Sequence, residues 1–307
     1  MRSEVITSGD WNIDDIASLR HFCHTTTPPL IHPDYFDQQG TWYRLVSVEN
    51  RAVTIKASPN GHIHWSCTEA LDNRNVHDTL ERLFLSLPLP EEAISHLPMA
   101  LQVRFRALAP LVHVGSLSLG EALIKAIIRQ VITANHAKKL IDAFVRSYGE
   151  QRTYNGMTYY NFPLLEKIIE IPLEELKACG LGFKANVVRH VALSILENAL
   201  EEKVRQVTRE EALHVLQSIK GIGRWSAHVA ICDLFGQWQY YPFEDLAVRT
   251  WTRKLWPEKQ WPTDERAFSA LWQELHGAST GLITFYLLSC ALTQPSQPQQ
   301  WRQEVLI

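Results

Sequence analysis

Asp245 is the side chain in this sequence best placed to do chemistry. It ends the aromatic loop Tyr240-Tyr241-Pro242-Phe243-Glu244-Asp245 and precedes Leu246-Ala247-Val248-Arg249, a run with helical character. An Asp just before a helix is a good N-cap. A fixed carboxylate can also stabilise positive charge developing on a sugar, as carboxylates do when a glycosidic bond breaks through an oxocarbenium-like state. The two uses are compatible, because a capping backbone also sets the carboxylate's direction. Glu244 is the rival acid, expected to be solvated. Upstream lies Lys220-Gly221-Ile222-Gly223, a turn too short for anything but a tight hairpin. Its two glycines flank an Ile expected to be buried. They open backbone dihedrals closed to residues with a Cβ and allow close approach to a ligand. The helix that follows would start with N–H groups pointing out of the turn, a natural seat for phosphate.

Residues 210–219 and 225–235 carry helical apolar spacing on either side of that turn, a helix-hairpin-helix pattern. Thr208-Arg209-Glu210-Glu211 has the spacing of a capping box at the start of the first helix. Helices are also expected over 121–131, 134–148 (stopped by Gly149), 184–200, 246–255, 268–275 and 281–292, with a short one opened by Pro172 and closed by Gly180. Earlier in the chain, 41–48, 52–57 and 62–66 are β-branched and aromatic. They are separated by turns at Glu49-Asn50-Arg51 and Pro59-Asn60-Gly61, and read as an antiparallel meander. A helical stretch follows at 75–85, and no strand is expected after about residue 92. The expectation is an α+β protein: a small N-terminal antiparallel sheet region over 1–110, a predominantly helical body over 111–293, and a loose tail over 294–307.

At 307 residues the chain can hold two or three small domains, and 46% hydrophobic with 21% charged residues is an ordinary globular balance. The first ten residues lack a signal-peptide core, and no apolar run approaches a membrane span, so no membrane role is expected. Cys23, Cys67, Cys179, Cys232 and Cys290 are scattered, with no C-x-x-C pair. That pattern predicts reduced thiols in a cytoplasmic protein and no zinc or iron–sulfur site. The net charge of −3 is uneven: 9 basic against 13 acidic residues over 1–110, but 11 against 9 over 180–260. With no strong basic field, phosphate affinity would have to come from placed backbone amides and a few Lys and Arg side chains. His62 with His64, and His21 with His24, lack a spacing that demands metal, and Gly180-Leu181-Gly182 has no strand leading into it as a dinucleotide loop would.

A helix, Gly-Ile-Gly, a second helix and then Pro242-x-x-Asp245-Leu246-x-Val248-Arg249 resemble the helix-hairpin-helix DNA glycosylase superfamily, its bacterial 3-methyladenine DNA glycosylase II branch nearest. The likeness extends to Ile127-Ile128-Arg129-Gln130-Val131-Ile132-Thr133. Gly180-Leu181-Gly182-Phe183-Lys184-Ala185 and Met157-Thr158-Tyr159-Tyr160-Asn161-Phe162-Pro163 are also similar to 8-oxoguanine glycosylases. The resemblance implies a two-lobed helical body with the active site in the cleft between lobes. It makes Asp245 the catalytic aspartate and puts Lys220, Gly221, Ile222, Gly223 and Arg224 at the DNA backbone, partly through a monovalent cation on hairpin carbonyls. No iron–sulfur cluster is implied, since only Cys290 lies in the later region where that branch carries four cysteines. Gln130 and Val131 fall where the family places the wedge that fills the gap left by a flipped base. An apolar residue on an amphipathic helix is the alternative for Val131.

Trp225 stands where bifunctional members carry a nucleophilic Lys, and tryptophan cannot attack C1′. The resemblance therefore implies a monofunctional enzyme using water. Trp225 and Tyr241 would line the base pocket, and an electron-rich pocket favours a cationic base such as 3-methyladenine or 7-methylguanine. His276-Gly277-Ala278-Ser279-Thr280 replaces the Pro-aromatic-Arg run common in alkylpurine glycosylases. The implied partner is damaged double-stranded DNA, acted on by a monomer in base excision repair. Two alternatives stay open: an 8-oxoguanine-type glycosylase, opposed by Trp225, and a non-catalytic helix-hairpin-helix DNA-binding protein, opposed by Asp245.

Overall fold

The computed structural model describes residues 7–12, 42–58, 61–154 and 157–292. The expected tail, His21, His24, Cys23 and most of the turn at 59–61 lie outside them. The first sheet has four antiparallel strands: β1 (Thr7–Asn12), β2 (Trp42–Val48), β3 (Arg51–Ala57) and β4 (His62–Cys67), in the order β1-β4-β3-β2. The meander matches the sequence reading. Between β2 and β3, Glu49 and Asn50 both take positive φ, 49° and 63°, the signature of a tight hairpin whose twist suits its strands. Strand β1 was not expected; it joins by pairing Thr7 with Cys67 through Asn12 with His62, a long-range match invisible to local pattern.

Helix α1 (Asn73–Leu83), capped by Asp72, leads into β5 (Phe84–Leu87). Then come α2 (Glu91–Ile94), α3 (Met99–Leu108) and β6 (Leu111–Val114), which pairs with β5. Strands β7 (Gln151–Tyr154) and β8 (Met157–Tyr160) form a further hairpin. The expectation of no strand beyond about residue 92 is thus corrected. Four-residue strands show too little alternation to be read, and β6 is buried throughout, which erases the alternation altogether.

The helical part runs α4 (Leu119–Arg129), α5 (Ala134–Tyr148), α6 (Leu165–Glu170), α7 (Leu173–Leu176), α8 (Lys184–Glu197), α9 (Leu200–Gln206), α10 (Arg209–Gln217), α11 (Arg224–Phe235), α12 (Leu246–Leu255), α13 (Glu265–His276) and α14 (Thr280–Leu292). Several expected boundaries move. The 184–200 helix breaks where Ala199 turns left-handed, α4 stops at Arg129 instead of 131, α1 gives way to β5 at Phe84 inside the expected 75–85 helix, and α13 starts at Glu265 instead of 268. No helix among the described residues is long and apolar enough to cross a membrane.

Apolar packing falls into three clusters that do not follow chain order. One unites the four-stranded sheet with α1. The second joins α4, α5 and α8 to α11. In the third, Leu87 to Leu111 packs against Cys232, Trp238, Tyr241 and side chains of α12 to α14. Helix α4 is buried from Leu119 to Ile128 and packs on α8 and α11. A buried ion pair locks its start to the sheet: one Arg44 nitrogen donates to both carboxylate oxygens of Glu121 at 2.9 Å. Removing either partner would strand a buried charge, so the pair fixes where α4 begins and hence where it ends.

Candidate active site

The ends of four helices converge: the C-terminus of α4 and the N-termini of α8, α11 and α12. Asp245 is the N-cap of α12, its Oδ1 accepting from Ala247 N at 2.9 Å. Its Oδ2 accepts from Trp225 Nε1, in the first turn of α11, at 2.8 Å. Two N–H donors thus hold one half-buried carboxylate in a fixed direction at a helix N-terminus. The capping role expected of Asp245 is thus present, and the cap leaves its second oxygen directed at Trp225.

The aromatic loop before Asp245 is tied down along its length. His228 Nδ1 lies 2.6 Å from Tyr240 O, and Asp245 N donates to Pro242 O at 3.3 Å. Trp238 packs in a buried aromatic group with Phe285 at 4.3 Å and His113 at 4.5 Å. Tyr241 belongs to that group, 6.2 Å from Trp238 and 6.3 Å from Phe285. Expected in the base pocket, it is 5% exposed and packs on the core side of the loop. Glu244 is corrected. Instead of being solvated it pairs with Arg224 at 3.2 Å, and that pairing uses some of the charge expected of Arg224 at the DNA backbone.

The hairpin forms as expected in outline. The capping box at Thr208 and Glu211 is complete. Ile222 is buried, and its N–H closes the turn on Ile219 O at 3.0 Å. The two glycines differ. Gly221 has φ +93°, and a Cβ there would meet Val187 Cγ1 at 2.4 Å. Gly223 has φ −86° and open space around it, so only close approach, not dihedral freedom, gives it a reason to lack a side chain. Lys220, Gly221, Gly223 and Arg224 are all exposed. No side chain caps the N-terminus of α11, which leaves its first-turn amides for a ligand.

Gln130 and Val131 follow the end of α4. Gln130 was expected at DNA, but its amide donates to Ser226 Oγ at 2.8 Å and to Gly221 O at 3.4 Å, bracing the hairpin. Val131 is not a core residue on a helix face: it is 95% exposed with φ +56°. A β-branched residue in that region is a backbone outlier held by its surroundings.

Several contributors were missed by the sequence reading. Arg129 lies over the Trp225 ring, 5.7 Å from its centroid, and 3.6 Å from Asp233 Oδ2. Asp233 also lies 3.3 Å from His113 Nε2. Burial resists charge on Asp233, yet His113, Lys125 and Arg129 around it keep its carboxyl below the ordinary range. Arg129 thus lies between the Trp225 ring, which donates to Asp245, and the buried Asp233. Phe183 and Leu246, 73% and 55% exposed, add apolar surface directly before Lys184 and after Asp245. Only their unusual exposure marks them, and exposure cannot be read from residue type.

Comparison with known proteins places the fold in a family. The family model described as HhH-GPD superfamily base excision DNA repair protein matches residues 124–276. The chain is 32% identical over 106 residues to DNA-3-methyladenine glycosylase 2 of Escherichia coli, covering 34% of this chain and 37% of that one. The chain spans 57% of the length of the Schizosaccharomyces pombe and Bacillus subtilis relatives it also matches. Among solved structures, 3-methyladenine DNA-glycosylase from Archaeoglobus fulgidus superposes with a TM-score of 0.72 at 25% identity, over 94% of this chain and 100% of that one. The 8-oxoguanine glycosylase/lyase of Clostridium acetobutylicum shares the fold, with a TM-score of 0.64 at 17% identity over 82% and 86% of the two chains.

Proposed function

Because residues 124–276 are a domain of the HhH-GPD superfamily, we propose that this protein is a monofunctional DNA glycosylase that removes alkylated purines of the 3-methyladenine and 7-methylguanine type from duplex DNA. The observation that carries the reading is the Trp225–Asp245 hydrogen bond, at 2.8 Å, in a site where a lyase would need an amine nucleophile.

In this reading the uncapped start of α11 and the turn from Lys220 to Gly223 hold the phosphates on either side of the lesion. Turn carbonyls are the oxygen ligands that a monovalent cation would use there. The damaged nucleotide is turned out of the stack, and Val131, exposed and apolar, fills the space it leaves. As the C1′–N bond breaks, electrons leave with the base and the sugar acquires cationic character. The Asp245 carboxylate faces that charge and lowers its energy, while water supplies the oxygen that ends on C1′. An alkylated purine is already positively charged, so it departs with little help from an acid. Trp225, half-buried, offers such a cation its electron-rich ring.

The test is release of methylated bases from alkylated duplex DNA by wild type and Asp245→Asn. The reading expects 3-methyladenine or 7-methylguanine from wild type, a fall of about 100-fold or more in the variant, and no strand cut until alkali is added. Strand incision, or a borohydride-trapped covalent complex on 8-oxoguanine duplexes, would establish the lyase alternative instead. DNA binding with no base released from either substrate would leave a binding protein.

A further inference from the structure

The last carbonyls of an α-helix have no partner within the helix and must find one elsewhere. At the end of α4 that partner is Lys184, the first residue of α8. Its Nζ donates to Ile128 O at 2.7 Å and to Gln130 O at 2.7 Å. The side chain is almost wholly enclosed, at 4% exposure, and burial lowers its pKa from the ordinary value. Two of its three ammonium protons are committed to carbonyls, which leaves it unsuited to serve as a nucleophile. The peptide it holds is the one that carries Gln130 into Val131. On the other side the Gln130 amide reaches Ser226 Oγ and Gly221 O of the hairpin. Val131, between these two restraints, keeps a left-handed backbone at φ +56° while its side chain projects into solvent. Such a conformation persists only where the surroundings over-determine it.

We propose that Lys184 is a positioning residue for base extrusion: with the Gln130 amide it clamps the end of α4 so that Val131 projects at a fixed distance from the phosphate-gripping hairpin. Insertion of Val131 and the grip on the strand then act as one rigid unit, and the strained backbone does not relax when the duplex pushes back. This rests on the reading that the protein extrudes a base from duplex DNA.

The experiment is a double-mutant cycle with Lys184→Met and Val131→Ala, alone and together. Two readouts are followed: single-turnover release of methylated base, and the fluorescence rise of 2-aminopurine placed beside the lesion. Thermal unfolding of each variant runs alongside. Lys184→Met is expected to slow both readouts roughly 10- to 100-fold, the worth of a charge-assisted hydrogen bond. In the Val131→Ala background the same change should cost no more than about threefold, because the group being positioned is gone. Lys184→Arg, which keeps N–H donors, should recover part of the loss. Equal losses in both backgrounds, or no loss, overturn the proposal, since a merely structural lysine would be indifferent to Val131. If Lys184→Met does not fold, Lys184→Gln takes its place in the cycle. If wild type itself neither releases base nor raises the fluorescence, the functional reading falls and takes this proposal with it. That outcome is distinct from a wild type that works and a cycle that shows no coupling.

Discussion

Trp225 Nε1 donates to Asp245 Oδ2 across 2.8 Å, joining the first turn of α11 to the N-cap of α12. The bond makes the tryptophan a support for the carboxylate as well as an aromatic face. Trp225→Phe keeps a ring and removes the donor, so one Asp245 oxygen loses its restraint. On the proposed reading, in which the carboxylate acts on charge that appears only in the transition state, base release should fall about 10-fold, in kcat more than in KM. A variant with wild-type kcat would show that the Ala247 bond alone orients Asp245.

Val131 should show opposite effects on stability and activity. Its left-handed backbone is costly for a β-branched residue, and its side chain, 95% exposed, contributes no burial. Val131→Gly relieves that strain and is expected to stabilise the fold by about 1 kcal/mol. If Val131 fills the space left by an extruded base, as proposed, the same change should slow base release roughly 10-fold. Thermal melting and single-turnover release, measured together, check both. A destabilised variant with normal activity would identify Val131 as a packing residue.

The two hairpin glycines should separate folding from binding. Gly221→Ala forces a Cβ into φ +93° and against Val187, so the hairpin should lose about 2 kcal/mol or more and the melting temperature should fall. Gly223→Ala meets no such obstacle and should leave stability within about 0.5 kcal/mol of wild type. Its effect belongs to the ligand: duplex affinity by fluorescence anisotropy should weaken if the backbone approaches a phosphate at that residue. Unchanged affinity would move the contact elsewhere on the turn.

His276 is expected to make the fold acid-sensitive. Its Nδ1 lies 2.7 Å from His96 Nε2 and its ring meets Trp272 edge-on at 4.1 Å. Burial, helped by nearby His96 and Lys259, lowers its pKa from 6.5 to about 3. Between those values the unfolded chain holds a proton that the native protein does not, so stability is full above about pH 6.5 and declines as pH falls toward 3. His96, also lowered by burial, adds to the same slope. His276→Gln should flatten the dependence of melting temperature on pH between 6.5 and 4, and curves that stay parallel to wild type would refute the assignment.

Much of the site's machinery was legible because it is local. The Thr208–Glu211 capping box, the Gly221-Ile222-Gly223 turn, the bounds of α5 and α12 and the capping role of Asp245 all depend on residues within a few positions of one another. Backbone preferences and cap chemistry act at that range, and residue type reports them directly. The meander was readable for the same reason, since alternation and turn residues suffice for a hairpin.

What joins these parts is not local, and residue type does not report it. Gln130 bonds Ser226, Tyr241 packs with Trp238 and Phe285, and Glu244, expected to be solvated, has Arg224 for a partner. The sequence by itself determined the kinds of helix ends this chain makes and the carboxylate that one of them carries. Only the tertiary structure decided that the end of α4 and the starts of α8, α11 and α12 meet, that Lys184 closes α4, and that Val131 stands out in a left-handed conformation. The reason is physical: which helix end faces which depends on how buried surfaces such as α4 pack together, and that is a property of the assembled core, not of any stretch of chain.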